Sequence, residues 1–188
     1  HARKMIGLVV DDAGGQAAGG GLLALSFAIE RFHLDLVRAR DAASELVLTS
    51  AAHATGVNNS NFLSDLRVFN TENAAGTLTL SLYPSGSSTP SPETKTVPLA
   101  ARQLLALDDV LLTTFGKTGI AGAIKLTSDR ALFSVSRTYN LAADGSTSGQ
   151  ELPAVPLPSY IGSADVARLA GISSRNARTN LIFFNPTD

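Results

Sequence analysis

Thr77-Leu78-Thr79-Leu80-Ser81-Leu82 alternates polar and apolar side chains without a break. A strand's side chains point to opposite faces in turn, so this stretch reads as a β-strand with one face in a core and the other in water. Phe133-Ser134-Val135-Ser136 repeats the pattern. From about residue 44 onward, short runs rich in β-branched and aromatic residues recur about every 8–15 residues, separated by Gly, Pro, Asn and Asp clusters. We read strands at 45–50, 63–69, 76–83, 93–99, 120–127, 131–139, 148–152, 165–170 and 178–184. Pro84-Ser85-Gly86-Ser87-Ser88-Thr89-Pro90-Ser91-Pro92 has the composition of a turn and linker between two of them. A short helix is expected at 108–115, with Asp108 as its N-cap and Gly116 ending it. The prolines at 98, 153, 156 and 158 make continuous edge pairing hard, which favours an antiparallel sandwich over a closed barrel.

The period changes near residue 43, and this divides the chain into an extension, 1–43, and a β-sandwich domain, 44–188. Met5-Ile6-Gly7-Leu8-Val9-Val10 reads as a strand, the segment 13–21 as a flexible Gly/Ala loop, and the segment after it as an amphipathic helix. Leu22, Leu25, Ile29, Phe32, Leu36 and Val37 fall on one side of that helix, and Glu30, Arg31, Asp35, Arg38 and Arg40 on the other. The opening residues lack the long apolar region and cleavage site of a signal peptide. The apolar stretch 22–29 is far short of the roughly 20 residues that span a bilayer, so no transmembrane helix is expected.

Composition narrows the function classes. The 188 residues carry 15 basic and 16 acidic side chains, a net charge of −1, so the basic patch of a nucleic-acid binder is not expected. No cysteine is present, which removes disulfides, thiolate metal sites and cysteine nucleophiles. Charged residues make up only 16% of the chain, below the roughly 25% of typical soluble domains, leaving a surface of Ser, Thr, Asn and Gly that suits an extracellular β-rich module.

The motifs that could carry chemistry are incomplete. Gly15 and Gly20 have the spacing of a phosphate-binding loop, but Gly21-Leu22 stands where Lys-Ser/Thr is required. His1, His33 and His53 fall at a terminus, on a helix and in a loop, without a zinc-binding spacing. Asp11-Asp12 reads as a strand end and Asp108-Asp109 as a helix cap that also complements the helix dipole. Gly145-Ser146-Thr147-Ser148-Gly149 departs from Gly-x-Ser-x-Gly and sits in a hairpin-like loop. Arg137 and Tyr139 share one face of a strand, where the arginine is expected to hold a loop carboxylate or carbonyl. No catalytic residue, metal ligand or cofactor is assigned.

Residues 44–188 resemble an unnamed β-sandwich module that recurs in secreted and cell-surface bacterial proteins. The resemblance rests on Ala51-Ala52-His53-Ala54-Thr55-Gly56, Ser64-Asp65-Leu66-Arg67-Val68-Phe69-Asn70, Leu107-Asp108-Asp109-Val110-Leu111, Phe115-Gly116-Lys117-Thr118-Gly119, Ser136-Arg137-Thr138-Tyr139, Gly149-Gln150-Glu151-Leu152-Pro153-Ala154-Val155-Pro156, and Arg178-Thr179-Asn180-Leu181 with Asn185-Pro186. It implies an extracellular, non-catalytic, Ig-like domain. Residues 3–43 are similar to the first strand and helix of a von Willebrand A-like domain. That family holds a divalent cation through Asp-x-Ser-x-Ser, whereas Asp11 here is followed by Asp12, Ala13, Gly14 and Gly15, so its metal site is not carried over.

The expected fold is therefore mainly β, an antiparallel Ig-like sandwich preceded by a strand, a glycine-rich loop and one amphipathic helix. The expected function is a non-catalytic structural or adhesive module, extracellular or on the cell surface. An apolar strand on a flexible tether is a ready donor for β-addition, with Met5, Ile6, Leu8, Val9 and Val10 as the donated residues. Leu63 to Asn70 is echoed at Arg178 to Asn185, so a second copy of that unit would stop after one strand and leave an edge open. Subunits that each donate to the next would form a homo-oligomer or a filament. Leu25, Ile29, Phe32 and Leu36 would line a further assembly face or cover one sheet. The alternative is a ligand-binding accessory domain, carbohydrate being the natural ligand, although the chain has no Trp and only three Tyr to offer as sugar platforms.

Overall fold

A computed structural model describes residues 42–86 and 91–157, together with Ile182 and Phe184. Its elements, in chain order, are β1 (Ala43–Thr55), β2 (Asn61–Asn70), β3 (Gly76–Pro84), β4 (Glu93–Leu99), β5 (Leu104–Leu107), α1 (Val110–Phe115), β6 (Ile120–Leu141), β7 (Thr147–Pro153) and β8 (Val155–Pro156). The alternating sequence sets which face is buried. Leu78, Leu80 and Leu82 of β3 are fully buried, while the intervening Thr79 meets Thr96 of β4 across the outer face at 3.2 Å. On β2, the same period turns Ser64, Leu66, Val68 and Asn70 inward. Each fully buried leucine contributes on the order of 2 kcal/mol through removal of its surface from water.

All the described strands join one antiparallel sheet, in the order β4-β3-β6-β1-β2-β5, with β7 added beside β6 and β8 beside β1. The sheet curls into a half-barrel. Strand β6, 22 residues long, organises it. Its first half lies between β3 and β1, and its second half between β2 and β7. The register of β1 against β6 slips between Ala43 and Glu45 and again between Leu48 and Ala51, and such irregularities bend a strand and increase its twist. Helix α1 touches β1, β2, β4 and β5, and so packs against both ends of the strand order. Its Val110, Leu111 and Phe115 enter the core beside Leu46, Leu48, Leu66 and Leu99. Gly116 then ends the helix in the left-handed region, its φ of 65° being one that side chains with a Cβ resist.

Buried polar groups are satisfied where the sheet turns. The fully buried Asn70 donates through Nδ2 to the carbonyls of Ala74 and Ala100, and its Oδ1 accepts from the N–H of Glu72. The turn after this strand is therefore held by the asparagine itself. Ser134 and Ser136 of β6, also buried, donate to the carbonyls of Arg67 and Leu152.

The mainly β, antiparallel character matches the sequence reading, but several elements differ. The described strands form a single curled sheet instead of two facing ones. Residues 120–127 and 131–139, read as two strands, are one. Between them, the Asp129 carboxylate accepts from the N–H of Thr77, and Arg130 donates to the carbonyl of Ala75, so polar residues that resemble a turn instead fasten the start of β3. Strand β5 was not expected. Helix α1 starts at Val110, and neither Asp108 nor Asp109 caps it through its side chain: Asp109 occupies the N-cap position with φ 44° and no side-chain cap hydrogen bond. His53 lies on β1, not in a loop. Pro98, Pro153 and Pro156 do occur in strands, Pro98 on β4 at an end of the strand order and the other two at the ends of β7 and β8. The expected strands 165–170 and 178–184, apart from Ile182 and Phe184, and the strand, loop and helix expected in 1–41 lie outside the described residues.

Candidate functional site

The densest polar cluster gathers residues from β1, β2, β6 and the turn before α1. In the β2–β6 pairing, Asp65 stands opposite Arg137 and Leu63 opposite Tyr139. The Tyr139 hydroxyl donates to Asp65 Oδ1 at 3.3 Å, and the backbone N–H of Asp109 donates to the same oxygen at 3.0 Å. The Asp109 carboxylate faces His53 Nδ1 at 2.9 and 2.8 Å. Both side chains of this pair are mostly buried, at 20% and 17% exposure. Arg137 lies over the Tyr139 ring, 4.7 Å from its centre, and its Nη2 donates to Thr147 Oγ1 at 2.8 Å. The arginine thus holds a hydroxyl and an aromatic face, not the loop carboxylate or carbonyl expected of it. Burial pushes the Tyr139 hydroxyl above its ordinary range, and the Asp65 carboxylate beside it pushes the same way.

Chemically, a carboxylate on Nδ1 fixes the imidazole so that Nε2 becomes the acceptor, which is how a general base is oriented. Base catalysis also requires a nucleophile or a water site at Nε2. Among the described residues, no hydroxyl is hydrogen-bonded to that nitrogen. The remaining groups satisfy one another: Asp65 takes both the tyrosine and the Asp109 amide, and Arg137 is occupied by Thr147 and the ring. These hydrogen bonds join β1, β2 and β6 to the turn before the helix. No three His, Asp or Glu side chains among the described residues are placed to hold a metal ion.

The sheet margins are the second candidate. Strand β4 carries Lys95 and Pro98, and its Glu93 is paired with both Lys95 and Lys117. These features discourage a further strand. Every residue of β7 except Leu152 is exposed, the strand contains Gly149 and ends in Pro153, and β8 is two residues long and ends in Pro156. Strand β5 has none of these guards. It reads Leu104-Leu105-Ala106-Leu107, with Leu104 63% exposed and Leu105 and Leu107 turned to the core.

The residues assigned to assembly from the sequence, Met5, Ile6, Leu8, Val9 and Val10 in the donor strand and Leu25, Ile29, Phe32 and Leu36 on the helix face, lie outside the described residues. Of the tyrosines that sugar binding would use, Tyr139 carries Arg137 over one face, and Tyr83 and Phe184 meet in a T-shaped contact at 5.2 Å between ring centres. Sequence reasoning missed the pairing of His53 with Asp109, which are 56 positions apart, and no local pattern signals it.

Comparison with protein-family models and with curated proteins gives no match. Among solved structures, the crystal structure of Thermotoga maritima 1070 is similar, with 12% sequence identity and a TM-score of 0.50, over 61% of this chain and 95% of that one. This likeness concerns the fold alone. No described helix is long and apolar enough to cross a membrane.

Proposed function

We propose that this chain is a non-catalytic structural and adhesive module, extracellular or on the cell surface and of the Ig-like kind its sequence resembles, that self-associates by strand exchange. Met5, Ile6, Leu8, Val9 and Val10 form the donated strand, and a neighbouring copy supplies the acceptor. The observation that supports this reading is the margin at β5: among the described residues the strand order ends there, and this strand lacks the proline and paired charges that guard β4, so a strand can be added to it. The polar cluster around His53 and Asp109 is consistent with a structural role, since its groups hydrogen-bond to one another.

Mixing separately labelled subunits, denaturing them and refolding them together tests the reading through energy transfer. Strand exchange gives mixed assemblies that a chain lacking residues 1–12 does not form. Absence of transfer in the full chain after joint refolding would overturn it.

A further inference from the structure

We propose that the outer face of the sheet, where β3, β6 and β1 run side by side, is a docking surface for this chain's own C-terminal residues 178–188, seated by Phe184 on Tyr83. This goes beyond strand donation and uses none of residues 1–12. Parity defines the face. Leu82 of β3, Ile124 of β6, and Leu46 and Leu48 of β1 belong to the core, so the adjacent Tyr83, Ala123 and Val47 point to the other side. Pairing brings these three together: Tyr83 stands opposite Ala123, and Lys125, two positions on, stands opposite Val47.

Two independent observations point to a cover over this face. Val47 is 2% exposed and Ala123 6%, although neither belongs to the core cluster. A side chain on the water side of a single sheet keeps part of its surface wet, so values this low call for a second layer. On the same side, the ring of Phe184 meets that of Tyr83 in a T-shaped contact, 5.2 Å between centres and 68° between planes. Phe184 is half-buried there, while Ile182 is exposed. Phe184 ends the apolar run Leu181-Ile182-Phe183-Phe184, set between Asn180 and Asn185. The chain reaches this place within one molecule. Pro156 pairs with Leu46 on β1, and only β6 separates β1 from β3, so the roughly 10 Å to be crossed is far shorter than the stretch from Pro156 to Phe184 allows. Covalent attachment gives the segment a high effective concentration at this face, which favours its own copy over a neighbour's. Seated, it withholds an apolar strip that runs from Tyr83 through Ala123 and Val47 to Val155, which is 37% exposed. Its release opens that strip to association.

Because the chain contains no cysteine, A123C gives the full chain a single thiol under the cover. That thiol reacts slowly with an alkylating reagent. F184D in the same background speeds the reaction about tenfold, and F184L, which keeps an apolar side chain, leaves it slow. A thiol placed in the core by V68C stays slow with F184D, which separates uncovering from unfolding. Y83C/F184C in mixed light- and heavy-isotope chains identifies the source of the segment: a short bifunctional thiol reagent links the two positions within one molecule. Deleting residues 1–12 changes none of these results, so failure of strand donation leaves this contact standing. Labelling of A123C that F184D does not alter, equal acceleration at V68C, or light–heavy dimers as the main cross-linked product would each overturn the proposal.

Discussion

Asp109 Oδ2 lies 2.8 Å from His53 Nδ1, and this contact joins the C-terminal part of β1 to the turn that opens α1. The same aspartate has φ 44°, in the left-handed region, and its amide is held by Asp65. One residue thus combines an unfavourable backbone conformation with side-chain and main-chain anchors that hold it in place.

The two contributions separate by substitution. D109A loses the carboxylate and keeps the left-handed backbone, and it should destabilise the domain by about 1–2 kcal/mol for the lost hydrogen bond to His53. D109G loses the same hydrogen bond but accepts the conformation, and should be more stable than D109A by about 1 kcal/mol. Urea unfolding of both variants, followed by far-ultraviolet circular dichroism, measures the difference. Equal stability would mean that the backbone at 109 relaxes on substitution.

At Gly122 the constraint is close approach. A Cβ there would overlap the carbonyl oxygen of Tyr83, where β6 pairs with the end of β3 through Gly122 and Pro84. G122A should therefore cost on the order of 1–3 kcal/mol. Exchange of the Ser85 amide, which donates to the carbonyl of Ala121, should accelerate with it. An unchanged unfolding midpoint would show that the strand end moves aside without cost.

Tyr139 governs an alkaline effect. Burial first and the Asp65 carboxylate second raise its folded value above the ordinary 10.0. A raised folded value leaves the contribution complete below the unfolded value and removes it as pH rises through the folded one. Stability should fall above pH 10, and Y139F should flatten that decline. A spectrophotometric tyrosine titration checks the direction: one tyrosine should ionise late, and that late component should vanish in Y139F.

The acid limb has the opposite sign. The N–H of Thr77 and, to a smaller degree, the charge of Arg130 hold the Asp129 carboxylate below its ordinary 3.8. A depressed folded value contributes stability above the unfolded value, and that stability is lost as pH falls through the folded one. D129N should therefore narrow the stability difference between pH 5 and pH 3. An identical acid profile in the variant would contradict this.

Much of the sheet is legible locally, because a period of two needs only neighbouring residues to declare itself. Thr77 to Leu82 displays its buried face in the sequence, and Gly116 marks the helix end. Leu104-Leu105-Ala106-Leu107 hides its strand, since leucine and alanine favour helices and no alternation distinguishes them. Ser128-Asp129-Arg130 reads as a turn because its polarity is visible while its partners, Thr77 and Ala75, are more than 50 positions away. The polar cluster was illegible for the same reason. Asp109 reads as a helix cap to any local rule, and only the curl of the sheet brings His53 to it.

Self-association is the central claim, and the mass of the native particle tests it most directly. Light scattering and electron microscopy of one sample, at low and high concentration, should show assemblies larger than a dimer for the full chain. Removing residues 1–12 should reduce them to monomers. A single species near 19.5 kDa at every concentration would contradict the account.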